Sequence, residues 1–362
     1  MTQTTELLEE TLERLFAKHC TPSDRQAAEA DGWLAGCWEA LEDAGLLWLG
    51  TPEPAGGSGG TVVEAASLVR MAGRHAVPLP VAECALLSGW LLEQAGMAVG
   101  DAPVTVAVPR KGDGLVLGDG GTVSGRLGRV PWGRQSAAVA AIAQASDGPV
   151  LVLLDPASAT VRPGRNVAGE PRDLLELDDV TVAPDRVAPL PPGTPEELRV
   201  RGALSRALLL AGAAGSASDL ALGYASQRKQ FGRPIASFQA IAQRMVRMAS
   251  EAEAAALAAT VATHRYAAAG VGGHVEDAAF DVAAAKAAVN RAAAEVAAQA
   301  HQIHGAIGMT QEYELHHFSR RIWAWCQEWG NERHWCGAVG RASAEIGSEG
   351  LWSRTAVSLS AP

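Results

Sequence analysis

The sequence predicts a mainly α-helical chain with a small β domain set between two helical ends. Three observations carry that expectation. Helix-like patches fill the first hundred residues, short β-prone runs crowd residues 102–190, and alanine-rich stretches follow a proline-rich linker. The 362 residues suffice for two or three domains around a large core. The expected division is an N-terminal helical domain over 1–100, a middle β domain over 101–192 and a helical bundle over 193–362.

In chain order, MTQTTELLEETLERLFAKHC reads as an acidic amphipathic helix without a basic leader region, so it is not expected to be a signal peptide. Asp31 to Ala44 and Val63 to Gly73 have helical spacing, separated by the loop TPEPAGGSGG. VTVAV, LVLGDG, TVSGRL, AAVAAIAQA and PVLVLL then read as strands, mostly punctuated by Gly, Pro or Asp. PLPPGTPEEL reads as a linker. Beyond it, AEAAALAATVATH and AAFDVAAAKAAVNRAAAEVAAQAHQIHG are rich in the best helix former, and too apolar to stand alone in water. They are expected to pack as a bundle and against other subunits.

Composition excludes several classes. Hydrophobic residues at 48% and charged residues at 19% describe a folded globular chain, not a disordered one. A formal charge of −10 argues against nucleic acid or an anionic membrane as partner. No apolar run is expected to span a bilayer. Five scattered cysteines, Cys20, Cys37, Cys84, Cys326 and Cys336, suit free thiols in a reducing cytoplasm.

The most specific string is RKQFGRPIASFQAIAQRM, Arg228 to Met245. An Arg–Lys pair, a glycine, a proline able to open a helix and the amides of Phe238 and Gln239 suit an anion. An isolated pair of this kind is more often a solvated loop, but the complete string resembles the flavin-binding turn RxxFGxxIxxFQ of acyl-CoA dehydrogenases. A second string, HQIHGAIGMTQEYELHHFSRR from His301 to Arg321, resembles that family's QxxGGxGxxxExxxxxxxRD segment. Gly305 and Gly308 match it; Ala306 replaces the second glycine of the pair, and Arg321 replaces the aspartate. The loop LGTPEPAGGSGG is also similar to a short family loop near the N-terminus.

The resemblance implies the family's fold: helical domain, middle β-barrel domain and C-terminal four-helix bundle. It implies FAD shared between subunits of a tetramer. One subunit holds the flavin ring beside the acyl chain; its neighbour lends an arginine and the glutamine–glycine segment to the ADP half. On this chain the lent residues are Arg228, Phe231, Gln239 and the turn Gln302, Ile303, His304, Gly305 and Ala306. A family glutamate takes the α-proton of an acyl-CoA thioester while hydride passes to flavin, and electron-transfer flavoprotein or a similar acceptor takes the electrons onward.

The catalytic half of the pattern fails. Ungapped spacing from Gly308 places the base position at Trp329, before Gly330, and the alternative position, 26 residues before Arg228, is Gly202. Neither side chain accepts a proton. Glu328 and Glu332 lie nearby but off the count. The stretch VAVPRKGDG, with Pro109 and Gly112, lacks the Thr–Glu pair of the family's flavin loop, RVPWGRQS alters the segment around Trp132, and Asn331 and Arg333 replace a flavin-holding Thr and Gln. This pattern resembles the degenerate β subunits of actinobacterial α2β2 acyl-CoA dehydrogenases of steroid side-chain breakdown. It implies a catalytic homologue as α subunit. The alternatives are a self-sufficient flavoenzyme, either a dehydrogenase with a relocated base or a monooxygenase, and a flavin-free scaffold.

Other signals are weaker. The histidines His301, His304, His316, His317 and His334 lack zinc-site spacing, so no metal is expected. The tryptophans Trp323, Trp325, Trp329 and Trp335 read as core or subunit-interface packing; only Trp329 falls on the base position, where its bulk would plug the substrate channel.

Overall fold

The computed structural model describes residues 3–107, 112–272 and 275–357. The chain opens with α1 (Gln3–His19), α2 (Pro22–Asp31), α3 (Ala35–Asp43) and α4 (Val62–Arg74). Thr21 with Asp24, and Thr61 with Glu64, form capping boxes that start α2 and α4. The helix expected from Asp31 to Ala44 begins later, because Gly32 adopts φ 75° and closes α2. A π-helical turn, Glu83–Ser88, runs directly into α5 (Gly89–Gln94), and every residue of that turn is buried.

Eight strands form one mixed sheet: β1 (Val104–Val106), β2 (Gly114–Leu117), β3 (Thr122–Pro131), β4 (Ala138–Ala145), β5 (Gly148–Leu154), β6 (Thr160–Arg162), β7 (Arg172–Thr181) and β8 (Val187–Pro189). The order is β6-β7-β3-β2-β4-β5-β8, with β1 also on β4. Both β1 and β2 run parallel to β4, whereas the hairpin β4–β5 is antiparallel from Val139↔Leu154 to Ala145↔Gly148. The five runs read from the sequence are all strands; β6, β7 and β8 went unread. β7 turns Leu175 and Leu177 inward with Glu176 between them, and the charges at Arg172, Asp173, Asp178 and Asp179 around them masked it. The sheet keeps its own core of Val, Leu and Ala side chains.

α6 (Thr194–Gln227) begins inside the expected linker, because Gly193 turns the chain at φ 89° and Pro195 fits a first helical turn. A small hairpin, β9 (Lys229–Gln230) and β10 (Arg233–Pro234), leads to α7 (Gln239–Gly272), α8 (Val275–His304), α9 (Leu315–Trp325) and α10 (Glu332–Val357), which kinks at Gly347. α6 packs against α4, α7, α8 and α9, so the N-terminal helices and the bundle share one apolar core. This position corrects the expectation that no run reaches bilayer length. α6 is long and apolar enough to cross a membrane, at a mean hydropathy of 1.2 over 18 residues, and 61% of that window is buried inside the protein. Its apolarity serves the core.

Close approach of α4 and α6 depends on two glycines. A Cβ on Gly212 would stand 2.1 Å from the Arg70 carbonyl oxygen, and one on Gly73 2.2 Å from that of Leu209. Backbone cannot yield as a side chain does. Gly212→Ala is therefore expected to lower stability by about 1–3 kcal/mol, the cost of overpacking, read as an earlier urea midpoint.

Candidate functional site

The two sequence motifs meet at one surface. α6 ends at Arg228, whose amide donates to the Tyr224 carbonyl. The Tyr224 ring stacks on His304 at 4.6 Å, and His304 contacts Tyr313 at the same distance. This aromatic clamp fixes the end of α6 against the end of α8, so Arg228 and the Gln302–Ala306 turn belong to one unit although 74 residues separate Arg228 from Gln302. Arg228, Gln239, Gln302, Gly305 and Ala306 are exposed. Ile303 and His304 point inward, at 4% and 3% exposure, so only their backbone can serve a ligand.

The local folding of this surface suits an anion from outside the chain. Among the described residues the Arg228 guanidinium makes no ion pair. Gly305 sits at φ 62° with open space around a notional Cβ, leaving the turn's backbone approachable. Gly308 serves packing instead, since a Cβ there would lie 2.8 Å from His304 Cβ. Phe231, at the hairpin tip, is 92% exposed and meets Phe238 edge-on, while Arg233 lies 4.2 Å over the Phe238 ring. An exposed arginine, two amide side chains and an open turn match the diphosphate of FAD in charge and donor chemistry.

The positions where a base was expected are filled. The indole of Trp329 lies flat against Gly202: a Cβ on Gly202 would be 2.1 Å from its ring. The two positions where the base was sought thus touch each other, and any residue but glycine at 202 would collide. Trp329 is 5% exposed and adopts φ 55°, and its carbonyl accepts a 2.8 Å hydrogen bond from Trp335 Nε1. Trp132 is likewise built into the core. It donates to the Gly32 carbonyl at 3.1 Å and carries Arg172 over its ring. Asn331 Oδ1 accepts from the His334 amide and so caps α10; Arg333 faces solvent. Pro109 lies outside the described residues.

Glu328 and Glu332 are no substitutes. Glu332 is exposed at the start of α10. Glu328 accepts from Arg172 Nε at 2.8 Å and Arg206 Nε at 2.7 Å. Burial opposes its charge, but the two guanidiniums win and hold the carboxyl at about 2. A carboxylate that acidic is a poor base. The pairing extends into a buried chain of alternating charge. Arg206 also binds Glu83 in the π-helical turn, Arg172 binds Glu170 at 3.0 Å, and Arg321 reaches Glu170 at 3.2 Å. Trp325 Nε1 donates to the same Glu170. Beneath Trp325, Lys286 is wholly buried, donating to Asn290 Oδ1 at 2.6 Å and to the Trp325 carbonyl. Burial pulls its ammonium down to about 7.

Sequence reasoning singled out Arg228, Gln302, Trp329 and Gly202, and passed over Glu83, Arg172, Arg206 and Lys286. One signal was available: Arg206 interrupts the apolar run of α6, where a charge needs a partner. Spacing also gave no hint that Glu29 reaches the His316–His317 pair, whose ligand atoms with it lie within 4.8 Å of one another. Arg320 grips the same Glu29 carboxylate, a charge that competes with any cation.

Residues 2–98 match the acyl-CoA dehydrogenase N-terminal domain, and residues 200–325 the acyl-CoA dehydrogenase C-terminal domain. The chain is 30% identical over 328 residues to acyl-CoA dehydrogenase IpdE2 of Mycobacterium tuberculosis, covering 87% of this chain and 90% of that protein. It is 29% identical over 356 residues to IpdE2 of Mycolicibacterium smegmatis, covering 96% and 100%. Its fold is that of a chain in the crystal structure of the ChsE4-ChsE5 complex from Mycobacterium tuberculosis, with a TM-score of 0.87 at 24% identity over 96% of this chain and 99% of that chain.

Two outcomes test the buried charges. Arg206→Met strands Glu83 and half-frees Glu328; a loss of about 3–5 kcal/mol is expected in chemical denaturation, as for any buried pair broken on one side. Lys286 has a folded value near 7 against an ordinary 10.5, so the unfolded chain binds the extra proton between those values. Wild-type stability should therefore rise from pH 7 to 10 relative to Lys286→Met, and the gap between the two should narrow over that window.

Proposed function

The chain belongs to the acyl-CoA dehydrogenase family of FAD-binding oxidoreductases, and we propose that it is the non-catalytic subunit of a heteromeric member, completing the FAD site of a catalytic homologue. The observation that carries this reading is the contact of Trp329 with Gly202, which fills the base positions from both sides. The open anion surface at Arg228 and Gln302 supports the other half of it. A chain that keeps nucleotide contacts and fills its own ring pocket is suited to serve a flavin whose ring belongs elsewhere.

When bound in that assembly, FAD would supply the hydride acceptor for desaturation of an acyl-CoA thioester between its α- and β-carbons. Arg228, Gln239 and the Gln302–Ala306 turn would hold its anionic half by charge and hydrogen bonds. The partner supplies the glutamate. Electrons leave to electron-transfer flavoprotein or a similar acceptor. Two structural relatives are complexes of two differently named chains, ChsE4-ChsE5 and the Tcur3481-Tcur3483 steroid acyl-CoA dehydrogenase, which supports an α2β2 assembly acting on a steroid-linked or other bulky acyl-CoA.

A self-sufficient enzyme is disfavoured by the pairing of Glu328 with Arg172 and Arg206. Expression of the chain alone and with a co-encoded homologue, followed by flavin content and turnover, separates the readings. Flavin and activity in the mixture alone are expected. A yellow, active homomer overturns the proposal, and a flavin-free complex makes the chain a scaffold. In the complex, Arg228→Ala is expected to deplete FAD; full flavin occupancy in that variant counts against the shared site.

A further inference from the structure

We propose that His301 and Trp323 form a stacking platform for the adenine of the nucleotide whose diphosphate rests on the Gln302–Ala306 turn. The inference depends on the reading of that turn as a nucleotide site and adds to it the residues that recognise the base.

The two rings stack at 5.6 Å with an interplanar angle of 15°. His301 belongs to the last turn of α8, immediately before Gln302, and its Nδ1 lies 3.5 Å from a notional Cβ on Gly308, beneath the same turn. Trp323 comes from α9. Its helix neighbours Ile322, Ala324 and Trp325 are 0%, 5% and 2% exposed, yet Trp323 is 43% exposed. The helix therefore buries its apolar side and still presents one indole outward. Ile307 and Met309, from the turn itself, add exposed apolar surface at 37% and 73%. Both ring nitrogens of His301 are buried, so the imidazole backs the indole and Trp323 presents the open face; burial lowers the His301 value, which favours the uncharged ring.

A purine suits this arrangement better than an aliphatic group. Every base has a π face, and a paired aromatic surface holds it without demanding a hydrogen-bond pattern. Position matters as much as chemistry: the platform adjoins a turn suited to an anion, and a nucleotide carries its diphosphate a short tether away from its base. The pair also explains why Trp323 is left half bare when three other tryptophans of the same segment are buried.

The test uses the flavin-stripped complex of the chain with its co-encoded homologue and two probes, ADP and inorganic pyrophosphate, in calorimetric titration. Wild type is expected to bind both, ADP the more tightly. Trp323→Ala should weaken ADP by about tenfold, the scale of losing one base stack, and leave pyrophosphate unchanged; Trp323→Phe should restore most of the difference. His301→Ala, which breaks the stack but keeps the indole, should show the same selective loss. Arg228→Ala should weaken both probes. Unchanged ADP binding in Trp323→Ala and His301→Ala, with Arg228→Ala still impaired, overturns the platform and spares the nucleotide site. If wild type binds neither probe, the site and the platform fall together. Circular dichroism of each variant separates loss of binding from loss of fold.

Discussion

The buried chain of charges from Glu83 through Arg206, Glu328, Arg172 and Glu170 to Arg321 is the constraint around which the rest is arranged. Its members come from the π-helical turn, α6, the segment after α9, β7 and the loop before it, and α9. Ion pairs tie the π-helical turn to α6, and both α6 and β7 to the segment after α9. Taking six charges from water costs much of what their attraction returns, so the network is weak evidence for stability. Its geometry is demanding, however: each guanidinium must meet two acceptors, and the chain alternates in sign from end to end. That specificity fixes the sheet against the helices beside the contact of Trp329 with Gly202.

Trp329 follows from the same constraint. Glu328 is drawn toward Arg172 and Arg206, and the next residue must turn back at φ 55°. A tryptophan in the left-handed region is strained by about 1–3 kcal/mol unless its surroundings hold it. They do: Trp335 binds its carbonyl, and the indole lies on Gly202, where the absence of a side chain gives it room. Glutamate at 202 and tryptophan at 329 cannot coexist. The two lost base positions are one event in space, though they are far apart in sequence.

This explains which parts of the molecule were legible beforehand. Helices with capping boxes and strands of Val, Leu and Ala declare themselves locally, and the Arg228 string is a contiguous turn. Contiguity is what makes a motif readable. The charge chain has no such signature, since Glu83 meets Arg206 and Arg172 meets Glu328 across more than a hundred residues each. β7 was hidden by the charges around its two inward leucines, and the start of α6 by prolines that read as a linker but open a helix. The membrane-length apolarity of α6 was misjudged for a related reason, because small alanines and leucines spread through a long helix do not form one conspicuous block.

Backbone strain offers a last step in the argument for two unlike halves. Among the described residues six that are not glycine adopt positive φ, and three of them, Trp132, Phe231 and Trp329, are aromatics at positions where flavin contacts were sought. Strain in bulky residues persists where the surroundings over-determine it. For Trp132 and Trp329 those surroundings are internal: the Gly32 carbonyl and Arg172 for one, Trp335 and Gly202 for the other. Phe231 is different. It is 92% exposed, and the single aromatic ring it meets is Phe238. The chain supplies internal contacts for the two tryptophans, and at the hairpin tip it supplies almost none among the described residues. On the proposed reading, a partner subunit covers this strained, bare aromatic, which lies three residues after Arg228.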